Sequence, residues 1–250
     1  MGFGGFVDVH SHVIPSGDDG ARDVAEGLEL CRRAAEEGTR VLFGTPHAHI
    51  PTSPFPLTAE RTERARAGYE AMKDECASFG LELRLGWELA PSGVLIGEIE
   101  DYELEGTGAV LVEFPGPWFE YADPLAALRG QIEQIRAAGL GVVLAHPERS
   151  KEIQRRPELV LPFVADGALI CFNGDSFAGG HGAGAERCAW RLLELGVGDL
   201  IASDAHRPGR PSKLREAVDV VADRIGRQRA HALVDGSALG RLHVVDEIVT

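Results

Sequence analysis

A chain of 250 residues holds one large α/β domain or two small ones, with ample volume for a buried core. Its apolar content of 44% and charged content of 26% exclude a disordered or fibrous chain. Lys plus Arg number 25 against 39 Asp plus Glu, a formal charge of −14, which speaks against broad attraction to nucleic acid or an anionic membrane but leaves room for a local basic site.

The segment Met1–Phe6 has neither the basic start nor the apolar stretch of a secretory signal, and Phe6 stands where a myristoylation motif needs Ser or Thr. No run approaches the roughly 18 apolar residues of a membrane span. Cys31, Cys76, Cys171 and Cys188 form no C-x-x-C pair. Together these features predict a cytoplasmic protein with reduced thiols and no thiolate metal site.

Phe6–His10 reads as the first strand. Within Val7-Asp8-Val9-His10-Ser11-His12 the two histidines share a face, because strand side chains alternate. Pro15, Gly17 and Asp18-Asp19-Gly20 then break regular structure, and Asp23 caps a helix carrying Ala25, Leu28, Cys31 and Ala35, closed by Gly38. Arg40–Thr45 is a second strand that runs into Pro46-His47-Ala48-His49 and a proline-rich loop. Thr58 opens a long charged helix that extends to about Phe79 and stops at Gly80. Leu81–Glu88 is a third strand and Ala109–Phe114 a fourth, in which Glu113 sits among apolar neighbours and needs a cation or donors if buried.

A helix over Pro124–Ala138 precedes the strand Gly141–Ala145, which delivers His146-Pro147-Glu148-Arg149. Helix Pro157–Asp166 leads to the strand Leu169–Asn173, and helix Ala185–Leu195 to Leu200–Ser203, followed by Asp204-Ala205-His206. Arg207, Arg210, a helix from about Ser212 to Arg229 and a short helical tail complete the chain. With no linker, low-complexity tract or repeat, residues 1–250 read as one domain.

Strands alternating with helices predict parallel pairing and right-handed crossovers, and seven such units at this length favour a (β/α)7 barrel over an open sheet. In barrels the C-terminal strand ends carry the active site. Those ends hold His10, His12, His47, Glu88, Glu113, His146, Asp204 and His206, with Asp18 or Asp19 from the first loop. Imidazole nitrogens combined with carboxylate oxygens suit zinc, manganese or iron rather than calcium or magnesium. The set exceeds what one ion needs, and multinuclear sites of this type hydrolyse phosphate esters by activating water. Any one of these residues is equally well explained as a capped strand end; their recurrence at equivalent positions is not. Arg149 taken alone fits a surface salt bridge with Glu148 or Glu152. His49, His181, His231 and His243 read as solvent-facing or structural, although His49 would share the side of His47 if the strand continued past Pro46.

The ordered series V-D-V-H-S-H, D-D-G, G-T-P-H, G-x-E, V-E-F, A-H-P-E-R and S-D-A-H, over residues 7–213, resembles the polymerase and histidinol phosphatase (PHP) superfamily. With the R-P pair that follows, it is most similar to the bacterial manganese-dependent protein-tyrosine phosphatases of capsule and exopolysaccharide loci. That resemblance implies a distorted, TIM-like seven-stranded barrel holding two to three ions per chain, Mn²⁺ first, with iron or zinc as alternatives. It implies that His10, His12, Glu88 and Asp204 hold one ion, that Glu88, Glu113 and His146 hold a second, and that Asp19, His47 and His206 hold the third. It further implies that Arg149 and Arg210 bind phosphate oxygens while a metal-activated hydroxide attacks phosphorus, without a covalent phosphoenzyme. The implied substrate is a phosphotyrosine protein or peptide, such as the tail of a bacterial tyrosine kinase, with no nucleic-acid partner and no membrane insertion. Two details depart from the pattern: Asp19 is preferred to Asp18 without a spacing that decides it, and the segment between His206 and Pro211 is short, which sets Arg207 beside Arg210 for the second arginine role.

Three other functions compete. A histidinol-phosphate-type phosphatase would use the same site. An amidohydrolase-like enzyme also begins with H-x-H, but its usual bridging carboxylated lysine has no counterpart in the seven strands. A non-catalytic metal-binding barrel would be expected to have lost a ligand or the arginine. A cysteine phosphatase is excluded because no H-C-x5-R arrangement exists. Phe55, Trp118, Phe119 and Tyr121 are expected in loops near the mouth, where they cover the rim or stack on an aromatic substrate.

Overall fold

The computed structural model describes residues 5–49, 55–91, 98–115 and 123–247. The chain starts with strand β1 (Phe6–Ser11), helix α1 (Val24–Glu37) and strands β2 (Thr39–Gly44) and β3 (His47–Ala48). Next come α2 (Ala59–Ser78), β4 (Glu82–Leu85), β5 (Glu88–Leu89), β6 (Glu103–Leu104) and β7 (Ala109–Glu113). The second half contains α3 (Pro124–Ala137), β8 (Gly141–Ala145), α4 (Lys151–Arg155), α5 (Leu161–Ala165) and β9 (Leu169–Asn173). It finishes with α6 (Gly174–Phe177), α7 (Gly182–Glu194), β10 (Leu200–Ala202), α8 (Leu214–Ile225) and α9 (Arg227–Ala232).

Helix ends follow the local chemistry. The Asp23 side chain accepts from the Glu26 amide to start α1, and Gly38, with φ 109°, turns its own N–H back onto the Ala34 and Ala35 carbonyls to stop it. Thr58 and Asp123 cap α2 and α3 in the same way. Gly226, with φ 89°, divides the helix expected from Ser212 to Arg229 into α8 and α9. The expected helix Pro157–Asp166 is a 3₁₀ turn over Pro157–Val160 followed by α5.

One sheet has the order β1-β2-β4, and the second β10-β9-β8-β7-β5-β3, with β6 antiparallel on β7. All other pairings are parallel. The short strands β3 and β5 continue the passes of β2 and β4 beyond a break at Thr45-Pro46 and at Gly86-Trp87, so the expected strand Leu81–Glu88 is two pieces, one in each sheet. Seven passes thus follow one another in chain order. The remaining edge is stitched by the Asp204 amide donating to the His10 carbonyl at 2.9 Å and the His12 amide donating to the Ala205 carbonyl at 2.6 Å. The Ser203 amide donates to Asp8 Oδ1 beside them at 3.0 Å. This is a distorted, TIM-like α/β arrangement in which β7, β8, β9 and β10 are buried on both faces while β4 is partly exposed.

Alternation of side chains builds two packed regions. Val110, Val112, Val142, Leu144, Ile170 and Phe172 face the helical layer, whereas Val9, Phe43, Leu111, Val143 and Leu200 pack against one another on the opposite face. Ala238 and Leu239, from the 3₁₀ segment Ser237–Glu247, join this second group.

Packing between α1 and the first loop depends on Gly27, where a Cβ would stand 2.4 Å from the Val13 carbonyl oxygen and 2.7 Å from Met72 Cε. Gly130 in α3 has no atom within 4 Å of the same position. Two alanine substitutions should therefore act oppositely in thermal unfolding. Gly130→Ala should stabilise by up to about 1 kcal/mol through helix propensity, and Gly27→Ala should destabilise by about 1–3 kcal/mol through overpacking. Equal gains at both sites would refute the close approach of α1.

Candidate metal centre

Parallel strands deliver their last residues to one end of the ring, and there the polar side chains converge although nearly all are buried. His10 and His12 of the first pass lie with Nε2 atoms 3.3 Å apart. Each is 3.3 Å from Glu88 Oε2 and 3.5 Å from Asp204 Oδ1. The other oxygen of Glu88 is 2.9 Å from His146 Nε2. On the opposite side, Asp19 Oδ1 lies 3.4 Å from His47 Nε2 and 3.6 Å from His206 Nε2. Ligand atoms of His12, Asp19, His47 and His206 form one group, His10, His12 and Asp204 another, and His10, Glu88 and His146 a third.

Glu113 is placed differently from the expected grouping with Glu88 and His146. Its Oε2 is 3.5 Å from His49 Nε2, and together with His47 these residues make a fourth group of potential ligands. His49 escapes a strand-by-strand reading because Pro46 breaks the second pass. The pass resumes as β3, and His47-Ala48-His49 then repeats the spacing of His10-Ser11-His12.

Two positions that carry candidate ligands adopt left-handed backbone conformations: His146 with φ 38° and Asp204 with φ 51°, each just beyond the end of its strand. Such non-glycine residues are uncommon and hold their place only where the surroundings fix them. The fixing groups are visible. The His146 amide donates to the Cys171 carbonyl and the Asp204 amide to the His10 carbonyl.

A second layer of side chains orients the first. Asp18 Oδ2 accepts from His12 Nδ1 and from the His47 amide, both at 3.1 Å, so Asp18 turns inward as a positioning group while the neighbouring Asp19 carboxylate faces the imidazoles. Glu148, fully buried, accepts from the Asn173 amide at 3.0 Å and the Ser176 hydroxyl at 2.7 Å. Arg61 reaches from α2 to donate to the His47, Phe55 and Pro56 carbonyls. The Phe55 ring stacks on His47, with centroids 5.2 Å apart. Trp118, Phe119 and Tyr121, expected at the rim, lie outside the described residues.

Three donors meet at Asp204 Oδ2: Arg149 at 2.8 Å, Asn173 Nδ2 at 2.9 Å, and Arg210. Arg207 points elsewhere, its Nε donating to the Asp19 carbonyl at 2.8 Å. His181 lies 3.2 Å from Asn173 Nδ2, at the rim. Burial, reinforced by Arg149 and Arg210, pushes its imidazole down to about 4.

Electrostatics favour deprotonated carboxylates. Burial works against ionised Glu88, but the surrounding histidines, His10 and His47 foremost, hold it well below the usual range. Burial likewise opposes ionised Asp204, and His206, His10, Arg210 and Arg149 outweigh it. The His206 imidazole is pushed down to about 3 by burial and then by His12.

The donor set fits divalent metal ions of the zinc, manganese and iron group. A specific observation supports the fit: Asp19 Oδ1, His47 Nδ1, Glu88 Oε2 and Glu113 Oε2 are buried and, although each lies within 3.5 Å of an opposing imidazole nitrogen or carboxylate oxygen, none makes a well-aligned hydrogen bond among the described residues. Buried polar atoms are rarely left so, and a carboxylate oxygen facing imidazole nitrogens is satisfied by a cation.

Comparison with known proteins agrees with this geometry. The tyrosine-protein phosphatase YwqE of Bacillus subtilis is 28% identical over 238 residues, covering 93% of this chain and 90% of that protein. A solved structure described as belonging to YwqE from Bacillus subtilis and CpsB from Streptococcus pneumoniae, unique metal-dependent tyrosine phosphatases, superposes with a TM-score of 0.76 at 26% identity over 95% of this chain and 94% of the other. An organophosphorus hydrolase from Deinococcus radiodurans shares the fold alone, with a TM-score of 0.52 at 17% identity over 96% of this chain and 93% of the other. The family model for capsular polysaccharide synthesis, CpsB/CapC, matches residues 6–239, and the chain belongs to that family.

Proposed function

We propose that the chain is a metal-dependent protein-tyrosine phosphatase in which His10, His12, Asp19, His47, Glu88, Glu113, His146, Asp204 and His206 hold two to three Mn²⁺ ions. The observation that carries this reading is the meeting of two arginines and the ligand cluster on one carboxylate, Asp204. A phosphate group seated beside Asp204 would lie within reach of both guanidiniums. Each can donate two hydrogen bonds to non-bridging oxygens.

Bound divalent ions supply Lewis acidity and a water deprotonated near neutral pH. The chain's own groups do the rest. Glu88 presents one oxygen to His10 and His12 and the other to His146, so it would hold metal through both oxygens. Arg149 and Arg210 neutralise charge on the transferred phosphoryl group and fix its orientation. Asn173 and the buried Glu148 hold the strand ends that carry Asp204 and His146. Four ligand carboxylates would be balanced by two divalent ions and outweighed by three, so a fully loaded site would attract a phosphate dianion although the whole chain is acidic.

No cysteine takes part: Cys31, Cys76, Cys171 and Cys188 are all buried, and burial raises Cys171 well above its ordinary range. Among the described residues no helix is long and apolar enough to cross a membrane. We place the enzyme in the cytoplasm, as one domain, acting on a phosphotyrosine protein for which a bacterial tyrosine kinase is the first candidate. The membership of a capsular polysaccharide synthesis family supports that choice of substrate.

Initial rates of metal-stripped protein on p-nitrophenyl phosphate, a phosphotyrosine peptide and histidinol phosphate, with and without Mn²⁺, test the reading. Mn²⁺ should restore hydrolysis of the peptide well above that of histidinol phosphate; the reverse order would assign a small-molecule phosphatase. Arg149→Ala should lower kcat on p-nitrophenyl phosphate by about 10²–10³-fold, the range for losing a charge-stabilising donor. Unchanged turnover would remove Arg149 from the mechanism.

A further inference from the structure

Beyond the mouth, the outer wall between α4 and α7 carries a groove of about 390 Å³. It is lined by Lys151, Gln154, Arg155, Gly184, Arg187 and Arg191, with no carboxylate in its wall. Lys151 and Arg155 stand four residues apart on α4, and Arg187 and Arg191 four apart on α7, so each pair projects from one helix face. Like charges at this spacing are mutually destabilising, and here two such pairs face the same cavity.

Neighbouring acids do not relieve them. Glu158 pairs with Arg156 and Glu194 with Arg224, and among the described residues none of the four groove cations has a carboxylate partner. Lys151 Nζ donates to Gln154 Oε1 at 3.3 Å, a neutral acceptor. In a chain of net charge −14, four unneutralised cations around one groove are a local reversal of sign.

The groove is joined to the metal centre. Lys151 follows the phosphate-binding candidate Arg149 by two residues. Gln154 Nε2 donates to the carbonyl of Glu148 at 2.9 Å and so ties the groove wall to the segment bearing His146 and Arg149. Gly184 lets α7 approach that wall, since a Cβ there would stand 2.5 Å from Gln154 Oε1. Lys151 at the groove and Arg149 at the centre are two residues apart in the chain, and an extended peptide advances about 3.3 Å per residue, so residues flanking a phosphorylated side chain at Arg149 are the ones offered to the groove.

We propose that the α4–α7 groove binds an acidic segment of the substrate, with Asp or Glu side chains a few residues from the phosphotyrosine. The assignment rests on the phosphatase function proposed above and adds a source of substrate selection that the metal ligands do not provide. Arg155, Arg187 and Arg191 act on substrate capture, so their effect falls on KM rather than on kcat.

The test compares phosphotyrosine peptides of equal length with acidic or neutral flanking residues, using the Mn²⁺-loaded enzyme and the triple variant Arg155→Gln, Arg187→Gln, Arg191→Gln. The acidic peptide should show about tenfold higher kcat/KM, the summed effect of three exposed charge contacts. The preference should reside in KM, shrink as salt is raised, and vanish in the variant, while p-nitrophenyl phosphate is hydrolysed equally by both proteins. Equal rates on the two peptides, or a preference that survives in the variant, would overturn the groove assignment while p-nitrophenyl phosphate turnover left the phosphatase reading intact. If neither phosphate is hydrolysed, the phosphatase reading fails on its own. Anisotropy of the labelled, unphosphorylated acidic peptide then reads the groove: binding lost in the triple variant supports it, and no binding, or tighter binding of an RNA oligonucleotide or phosphatidylserine vesicles, overturns it.

Discussion

Glu88 carries an ionised carboxylate into a position that water barely reaches, and the architecture around the centre follows from what that charge requires. A buried carboxylate is tolerated only where cations and donors surround it. Here His10, His12, His47 and His146 approach it from three other strand passes. Parallel strands in chain order make this possible, because each contributes its C-terminal residue to the same end of the ring.

The same constraint explains features of the backbone. His146 and Asp204 leave their strands in left-handed conformations that aim their side chains inward, and hydrogen bonds from their own amides to neighbouring passes hold them there. Asp8 lies beneath them, fully buried. Burial raises its carboxyl to about 6 against the opposing pull of the Ser203 and His10 donors. It accepts from the Ser203 amide across the seam where β1 meets the segment after β10. Close approach at this end is thus built from polar contacts, whereas the opposite end is sealed by apolar residues from Ser237–Glu247.

Much of this was legible in the sequence because strands buried on both faces appear as short apolar runs, and ligand-type residues ended most of them. Helix α1 was equally legible, since Asp23 and Gly38 mark its ends by capping chemistry. The misses have physical causes. Strand β6 is two residues long and antiparallel, too short for any pattern. The pass through Gly86-Trp87 changes sheets, which no periodicity announces. Pro46 hides His49 from a strand pattern, yet the strand resumes beyond it. Glu148 looked like a surface partner for Arg149, but it turns inward to Asn173 and Ser176, and only the fold around β9 shows which way it faces. Spacing could not separate Asp18 from Asp19, or Arg207 from Arg210. In the fold their contacts differ: Asp18 bonds to His12 while Asp19 faces His47 and His206, and Arg210 is directed at Asp204 while Arg207 bonds to the Asp19 carbonyl.

If divalent ions balance the buried carboxylates, thermal unfolding of metal-stripped protein should respond to added Mn²⁺, with the bound metal counted by mass spectrometry. At Mn²⁺ near a thousandfold above its Kd, binding to the folded state alone contributes about 4 kcal/mol per site, a rise in Tm of about 10 °C for a chain of this size. Two to three ions per chain should be retained, and Glu88→Gln should retain fewer with a smaller rise. An unchanged Tm with no retained metal in the wild-type chain would show that the buried carboxylates are not balanced by divalent ions.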